Sequence, residues 1–277
     1  GFTRLPALQL VGECYSSDKK AGLKLAEKAG WLMAIELRAV DIDFSFAPVL
    51  DVSKGVSQVI GDRSFHSDPE CVAELSKAYM HGMRDAGMAA VGKHFPGHGA
   101  VKEDSHLAIP FDRRRFEDIQ MDDMVSFERL IHAGLAGIMP AHVIYPEVDN
   151  KPAGFSSIWL RNILRQQLEF QGVIFSDDIS MAGAEVVGGY VDRAHCALKA
   201  GCDMVLICNN QDAAIEVLDN LKIDPDPASQ SRLIRMHGKH ELDIAKLEND
   251  EAWQAVSTEI AGLVVEPELA LGDDRIG

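Results

Sequence analysis

Short apolar segments that stop at polar, titratable residues recur along this chain and constrain its fold more than any other feature. Each is about the length of a strand, and stretches with a helical pattern separate them. Helices are expected, among other places, at about 114–133, at about 157–170 and near 181–187. Alternating strands and crossover helices predict a parallel sheet, and continuous apolar strands indicate that both of its faces are covered. The segments 43–50, 88–92, 137–141 and 172–176 are followed by Asp51, by Lys93 and His94, by His142, and by Asp177 and Asp178.

A parallel sheet of this kind is either an open doubly wound sheet or a closed (β/α)8 barrel. The open dinucleotide-binding sheet lacks its signature here, because no G-x-G-x-x-G follows a strand and opens a helix. Barrel chemistry comes from the C-terminal ends of several strands, which is where this chain carries its polar residues. We therefore expect an α/β fold of the (β/α)8 TIM type.

The number of strand–helix units falls short of a closed barrel. With the apolar segment 203–208 the sequence contains five units, whereas a barrel needs eight. At about 30 residues per unit, roughly 70 to 90 residues are expected to be missing before Gly1. We expect one catalytic barrel domain over residues 1–277 that lacks its N-terminal strands, with a helical C-terminal tail over about 224–277.

Charge and cysteine content narrow the classes of partner and compartment. The net charge of -16, from 27 basic and 43 acidic residues, argues against nucleic acid and anionic membranes, because both repel such a surface. No long uncharged apolar run predicts a membrane span. The five cysteines are scattered and form no C-x-x-C pair, which favours reduced thiols in a cytoplasmic protein. A small molecule is the expected partner.

The loop after the second segment carries the most titratable chemistry in the chain. It reads KHFPGHG at 93–99 and continues to DSH at 104–106. Its glycines and proline rule out a regular helix or strand, and loops on a rigid scaffold are where catalysis and binding concentrate. We therefore interpret this loop as part of a functional site.

These motifs resemble glycoside hydrolase family 3, in particular its bacterial β-N-acetylglucosaminidase branch, which acts in peptidoglycan recycling. The resemblance spans most of the chain and weakens after about residue 263. It includes GFTRLPA (1–7), FAPVLDV (46–52), IGDRSFHSDP (60–69), IMPAHVIYPEVD (138–149), VIFSDDISM (173–181) and AGCDMVLICNN (200–210). Family members also carry an upstream segment of the type D-x-E-G-G-R that binds the sugar, and this sequence does not contain it.

A retaining glycosidase needs a carboxylate nucleophile and a separate proton donor. Asp177 and Asp178 are adjacent at a strand end, and a strand directs them to opposite faces, so only one can point into the site. Spacing alone does not say which. The resemblance implies that Asp177, directly after the serine, is the nucleophile. Asp178 is then expected to be a structural carboxylate that bonds loop amides or a helix N-terminus.

The resemblance also implies an unusual proton donor, a histidine supported by an aspartate. Asp104 and His106 are two residues apart, so in an extended segment their side chains fall on the same side and can form a hydrogen bond. A carboxylate partner orients the imidazole and favours its protonated form. His106 is therefore expected to be the acid/base, with Asp104 as its partner.

Sugar binding is assigned to three further residues by the resemblance. Lys93 and His94 end a buried strand, where a lysine is costly unless it meets a ligand or an acid. Arg63 matches the sugar-binding arginine of the family, although a surface salt bridge would also account for it. His142 and Asp51 are expected to support these groups, while His98 and His66 can simply order their loops.

Several functions remain open from the sequence. The first is exo-hydrolysis of terminal β-linked N-acetylglucosamine from peptidoglycan fragments, the GlcNAc-1,6-anhydromuramyl peptides, through a covalent glycosyl-enzyme. The second is glycoside phosphorolysis, because a histidine acid/base does not repel phosphate. A metal-dependent hydrolase built on His94, His98, His106 and His142 is disfavoured because Pro96 and Gly97 prevent the helix that would align His94 with His98. An inactive sugar-binding fragment is a fourth reading. The sequence predicts neither a cofactor nor a bound metal. We expect the protein to be a monomer.

Overall fold

The computed structural model describes residues 1–102, 109–224, 226–239 and 243–264. In this part of the chain there are seven strands, namely β1 (Phe44–Ser45), β2 (Ala89–Phe95), β3 (Gly137–Pro140), β4 (Ile144–Tyr145), β5 (Asp149–Pro152), β6 (Val173–Asp178) and β7 (Met204–Leu206). Five of them form one sheet in the order β1-β2-β3-β6-β7, with every neighbouring pair parallel. The strands β4 and β5 form a separate antiparallel pair. The expected fold is confirmed: the sheet supplies five of the eight strands of a TIM-type barrel.

Helices connect the strands and cover the outer face of the sheet. Two of the longer ones begin at an aspartate that caps the helix, because Asp18 accepts hydrogen bonds from the Lys20 and Ala21 amides and Asp68 from the Glu70 and Cys71 amides. The α-helices of the described residues are α1 (Leu8–Ser17), α2 (Lys19–Arg38), α3 (Pro69–Asp85), α4 (Phe116–Gln120), α5 (Asp123–His132), α6 (Tyr190–Ala200), α7 (Gln211–Asn220), α8 (Pro227–Ile234), α9 (Ile244–Glu248) and α10 (Glu251–Ala261). None of them is long and apolar enough to cross a membrane.

The elements depart from the sequence-based expectations in several places. The segment 43–50 is a strand only at β1; beyond it the Ala47 and Pro48 carbonyls accept from the Val91 and Lys93 amides, and a single bridge joins Val49 to Lys93. The helix expected over 114–133 is divided into α4 and α5. The helix expected over 157–170 is a π-helix, Ile158–Gln167, and that over 181–187 is a 3-10 helix, Ala182–Val187. Helix α1 and the β4–β5 hairpin were not predicted.

Two apolar clusters pack against the two faces of the sheet. The larger one lies between the strands and the helices and includes Ile138 and Ile174. The smaller one includes Met139 and Phe175, which alternate with those residues along the same strands. Phe44 and Phe46 pack on Phe175 with ring centroids 5.1 and 5.4 Å away, and the cluster is completed by Leu233 and Met236 from α8 and the turn after it. The face that would line a barrel interior is therefore filled by side chains.

The ends of the described chain are joined through one buried carboxylate. Glu36 on α2 accepts hydrogen bonds from the Thr3 amide at 2.8 Å and from the Thr3 hydroxyl at 2.5 Å. Its Oε1 also accepts from the Trp253 indole on α10 at 3.0 Å. The N-terminal segment, α2 and the C-terminal helix α10 are thus packed together.

Candidate active site

The C-terminal ends of the parallel strands bring the predicted polar residues to one rim. Lys93 lies at the end of β2, where it bridges Val49 on one side and pairs with Met139 of β3 on the other. Asp51 follows the short β1 segment, and Asp177 ends β6. Because all these strands run in the same direction, their side chains converge, as expected from the sequence.

The carboxylate of Asp51 organises the N-terminal part of the KHFPGHG loop. It is fully buried and its Oδ2 lies 2.7 Å from Nδ1 of His94. The backbone amides of His94 and His98 also donate to it, the latter at 2.7 Å. Burial alone would raise the pKa of Asp51, but the charge and hydrogen bond of His94 outweigh this effect and the pKa lies below its usual value. Asp51 therefore stays ionised and holds the His94 ring in one orientation.

The side chain of Lys93 is largely removed from water, and this changes the pKa of its ammonium group. Burial lowers the pKa of its ammonium group, the negative charge of Asp177 acts in the opposite direction, and the nearby Arg63 adds to the lowering. These influences place Lys93 close to both Asp177 and Arg63. No carboxylate within the described ranges forms an ion pair with Lys93, so its charge remains free to meet a polar ligand.

Arg63 lies at the end of a short 3-10 helix, Gly61–Arg63, and its Nε donates to the Val59 carbonyl at 2.9 Å. A cavity of about 670 Å³ opens between Arg63, Lys93 and the N-terminal segment. This volume is within the ordinary range for a small-molecule site. Asp177 does not line the cavity, so the cavity reaches the two cations of the predicted sugar site but not the predicted nucleophile.

The two adjacent acids at the end of β6 have different surroundings. The carboxylate of Asp178 accepts from the Ser180 amide and hydroxyl and from the Cys208 amide at 3.0 Å, which matches its expected structural role. The half-buried Asp177 accepts one local hydrogen bond, 2.8 Å from the Asp178 amide to Oδ1. The charge of Asp177 acts on the titration of Lys93 and His142, so its carboxylate lies within electrostatic range of both.

His142, which follows β3, is fully buried against β6. Its Nε2 donates to the Asp178 backbone carbonyl at 3.0 Å, and its ring stacks on Phe155 with an interplanar angle of 6°. Burial lowers its pKa although the Asp177 carboxylate opposes the effect, so the ring is neutral. This places His142 beneath the site, as the sequence suggested.

The predicted proton donor and its partner, His106 and Asp104, lie outside the described residues. What the structure describes is the loop on either side of them. The hydroxyl of Tyr145 donates to the Gly97 carbonyl at 2.7 Å, and the Asp112 amide donates to the Ile144 carbonyl at 2.9 Å. Both flanks of the loop are therefore attached to the short strand β4, an anchor that no motif in the sequence indicated.

A charge network under the loop was also missed by the sequence reasoning. Arg114 binds the carboxylates of Asp112 and Asp123, each at 2.6 Å. Burial raises the pKa of Asp123 to about 6 despite the neighbouring Arg114. Gly97 has a φ of 146° and leaves room for Asp123, because a Cβ at that glycine would lie 2.4 Å from the Cβ of Asp123. Nothing in the sequence indicated that Asp112, Arg114 and Asp123 would form an ion-pair network under this loop.

The histidines of the loop do not assemble a metal site within the part of the chain that the structure describes, where no group of three or more His, Cys, Asp or Glu residues could hold a metal ion. The rings of His94 and His98 lie edge to face with centroids 6.0 Å apart, and Nδ1 of His94 is already bonded to Asp51. His66 lies on a different loop and bonds Ser16 and the Asp68 amide.

Comparison with known families identifies the fold and the enzyme class. The model of the glycosyl hydrolase family 3 N-terminal domain matches residues 1–236. The chain belongs to glycoside hydrolase family 3. It is 59% identical over 271 residues to a β-hexosaminidase of Thioalkalivibrio sulfidiphilus (strain HL-EbGR7), covering 98% of this chain and 78% of that protein. The enzyme class is therefore glycoside hydrolase, in agreement with the prediction from the sequence motifs.

Solved structures show the same similarity. NagZ from Neisseria gonorrhoeae, in complex with N-trifluoroacetyl-D-glucosamine, has a TM-score of 0.89 and 42% identity, covering 96% of this chain and 77% of that chain. A family 3 β-N-acetylglucosaminidase from Paenibacillus sp. str. FPU-7 has a TM-score of 0.78 and 28% identity, covering 100% of this chain and 50% of that chain. The arrangement of strands and helices is thus shared with N-acetylglucosamine-processing members of the family.

Proposed function

We propose that this chain is the catalytic barrel of a retaining exo-β-N-acetylglucosaminidase that releases terminal β-linked N-acetylglucosamine. The observation that carries the proposal is the rim of the parallel sheet, where Lys93 near the end of β2 and Asp177 near the end of β6 lie at the same edge and Arg63 lines one cavity with Lys93. A carboxylate beside cations that bind hydroxyl groups is what a retaining glycosidase needs at its sugar site. The similarity to β-hexosaminidases at up to 59% identity supports the choice of sugar.

In the proposed mechanism Asp177 attacks the anomeric carbon. The bond from its carboxylate oxygen to that carbon forms as the glycosidic bond breaks, and the leaving oxygen receives a proton from His106. In the second half, His106 takes a proton from water, the water oxygen bonds to the anomeric carbon, and Asp177 leaves as a carboxylate. Asp104 orients the imidazole of His106 and favours its charged form.

The sugar is held by the cations of the rim. Lys93 and His94 donate to its hydroxyl groups, and Arg63 binds it from the cavity side. The fixed ring of His94, bonded to the buried Asp51, supports this role because an oriented donor loses little freedom when the sugar binds. The partly desolvated Lys93 supports it as well, since a ligand hydroxyl restores a polar partner to the ammonium group.

The natural substrate is proposed to be a peptidoglycan fragment, a GlcNAc-1,6-anhydromuramyl peptide, in the recycling of cell-wall material. This choice rests on the resemblance of the KHFPGHG and DSH motifs to the bacterial branch of the family. Location in the reducing cytoplasm and a monomeric state belong to the same proposal. The five cysteines, all present as free thiols, support the reducing compartment.

The proposed nucleophile is tested by Asp177→Asn, with Asp178→Asn as the matched control. Because the chain covers 78% of its T. sulfidiphilus relative, assays use both the 277-residue chain and an extended chain that carries the N-terminal segment of a family member. Asp177→Asn should abolish nearly all turnover of aryl β-N-acetylglucosaminides with the fold intact. Asp178→Asn should lose at least tenfold less activity, about 1.4 kcal/mol in barrier.

A fluorinated mechanism-based glycoside identifies the covalent intermediate directly. It should label a peptide that contains Asp177, and label on Asp178 would reverse the assignment. The same preparations distinguish the alternatives. Turnover that requires inorganic phosphate and yields a sugar phosphate would establish a phosphorylase instead. Loss of turnover after chelation would establish a metal-dependent enzyme.

A further inference from the structure

The rim contains one buried polar group that the proposed mechanism does not use. His142 is fully buried two residues after the end of β3, and it contacts the backbone of Asp178, the residue after the proposed nucleophile. Its Nε2 donates to the Asp178 carbonyl at 3.0 Å, a contact between residues 36 positions apart. A carbonyl oxygen can only accept, so this contact requires the proton on Nε2 and makes Nδ1 of the neutral ring a bare acceptor.

The other side of the ring confirms that the proton is held on Nε2. Within the described residues Nδ1 of His142 is buried and has no hydrogen-bond partner. It faces Gly154, where an added Cβ would lie 3.7 Å from Nδ1. Leaving a buried acceptor unsatisfied is unfavourable, because the atom loses its hydrogen bonds to water and gains none in the protein. We interpret the unpaired Nδ1 as the consequence of holding the proton on Nε2, where it donates to the Asp178 carbonyl.

The ring is also prevented from turning. Phe155 stacks on it with centroids 5.3 Å apart and nearly parallel planes. A rotation that would offer Nδ1 to the Asp178 carbonyl would break this stacking. The donor on Nε2 therefore points at one carbonyl only.

We propose that His142 is a positioning residue for the nucleophile: its Nε2–H fixes the Asp178 peptide and so aims the Asp177 carboxylate at the anomeric carbon. This inference rests on the proposed function of Asp177. The Asp178 side chain is held by Ser180 and Cys208, and its carbonyl is held by His142. The backbone after Asp177 is thus fixed on both sides, which is what a nucleophile within about 3–3.5 Å of its target needs.

The role predicts different effects for two substitutions of the same residue. His142→Gln keeps an amide N–H near the position of Nε2, whereas His142→Leu removes the donor and keeps the bulk. His142→Leu should lower kcat at least tenfold with KM changed less than about threefold, because sugar binding through Lys93 and Arg63 is unaffected. His142→Gln should recover kcat to within about threefold of the parent. His132→Leu, at an exposed position on α5, is the control.

Turnover is expressed per active site, counted by labelling with the fluorinated glycoside, so that loss of folded protein does not enter kcat. Equal kcat in the Leu and Gln variants, or a parental kcat in the Leu variant, would overturn the inference. A KM increase without a change in kcat would also overturn it, since that result means sugar binding rather than positioning.

Two measurements test the inference without activity. Nitrogen NMR of the parent should show a neutral His142 ring protonated on Nε2 at pH 7; protonation on Nδ1 or an imidazolium would overturn it. Gly154→Ser should be more stable than Gly154→Ala, because only the serine hydroxyl can donate to Nδ1. An alanine variant at least as stable as the serine variant would contradict a bare Nδ1. Absence of turnover in both parent chains, with the expected NMR result, would count against the proposed function and leave the geometry of His142 intact.

Discussion

The strongest test of the site's architecture is the substitution Asp51→Asn. The buried carboxylate receives the His94 ring at 2.7 Å, the His98 amide at 2.7 Å and the His94 amide at about 3.2 Å. An amide side chain of the same shape can accept on one side only, so its NH2 group must face one of these donors. The substitution therefore removes a charge and creates a buried clash between donors.

The magnitude follows from the burial. A hydrogen bond to a charged group contributes about 1.5–3 kcal/mol, and removing one partner of a buried ion pair costs about 3–5 kcal/mol. We expect Asp51→Asn to lower the free energy of unfolding by about 3–5 kcal/mol, a large part of a typical net stability of about 5–15 kcal/mol. At about 2–4 °C per kcal/mol for a chain of this size, the melting temperature falls by roughly 6–20 °C. Released from Asp51, His94 loses its fixed orientation, so KM should rise.

Urea unfolding of the parent and the variant measures the difference, with Asp219→Asn on the exposed face of α7 as a control that changes stability by less than about 0.5 kcal/mol. The pH dependence provides a second check. Because the pKa of Asp51 is lowered on folding, its contribution is fully present above the unfolded value of 3.8 and is lost as the pH falls through the folded value. The difference between parent and Asp51→Asn should therefore shrink in acid. A difference below about 1 kcal/mol at pH 7 would refute the reasoning.

Three further outcomes are expected. His106→Ala should slow substrates with poor leaving groups far more than activated aryl glycosides, because only the former need a proton; equal slowing in steady-state assays would make His106 a sugar-positioning residue. Gly99→Ala should destabilise the fold by about 1–3 kcal/mol in urea unfolding, since its Cβ would lie 1.9 Å from the Val52 carbonyl; the control Gly262→Ala meets nothing closer than 3.5 Å. The pKa of His142 is lowered by burial, so the stability it contributes is present above pH 6.5 and is lost as the pH falls below it. The advantage of the parent over His142→Gln should shrink there by up to about 1.4 kcal/mol per pH unit, and a constant difference between pH 5 and 7.5 would contradict the lowered pKa.

The strand ends were predictable from the sequence because their physical cause is local. An apolar run of five or six residues that stops at Lys93 or Asp177 must leave the core at that point, and parallel strands bring such points together. The lengths of the strands and helices were less predictable. Strand β1 ends at Ser45, well before the end of the apolar segment, and the helix expected over 114–133 is interrupted near Asp122, where the backbone leaves helical geometry. These departures leave Lys93, His94 and Asp177, the predicted site residues on the described strand ends, at the rim.

Partners distant in sequence were not predictable. Asp51 meets His94 across 43 positions, and Asp178 meets the Cys208 amide across 30. Each pairing depends on how far neighbouring strands are displaced relative to one another, which the periodicity of side chains does not encode. Tyr145 illustrates the same limit, because nothing in its sequence context indicated that its hydroxyl would hold the Gly97 carbonyl.

The choice between the two adjacent acids gains a physical reason from the structure. Asp178 uses its carboxylate to hold the Ser180 and Cys208 amides, so an attack by Asp178 on a sugar would break the hydrogen bonds that hold this turn. Among the described residues, the Asp177 carboxylate accepts a side-chain hydrogen bond from the adjacent amide on Oδ1 alone, which leaves its other oxygen unengaged. A nucleophile must present a lone pair to carbon while its backbone stays fixed. The pair divides these requirements: Asp178 anchors the turn, and Asp177 keeps an oxygen available for the sugar.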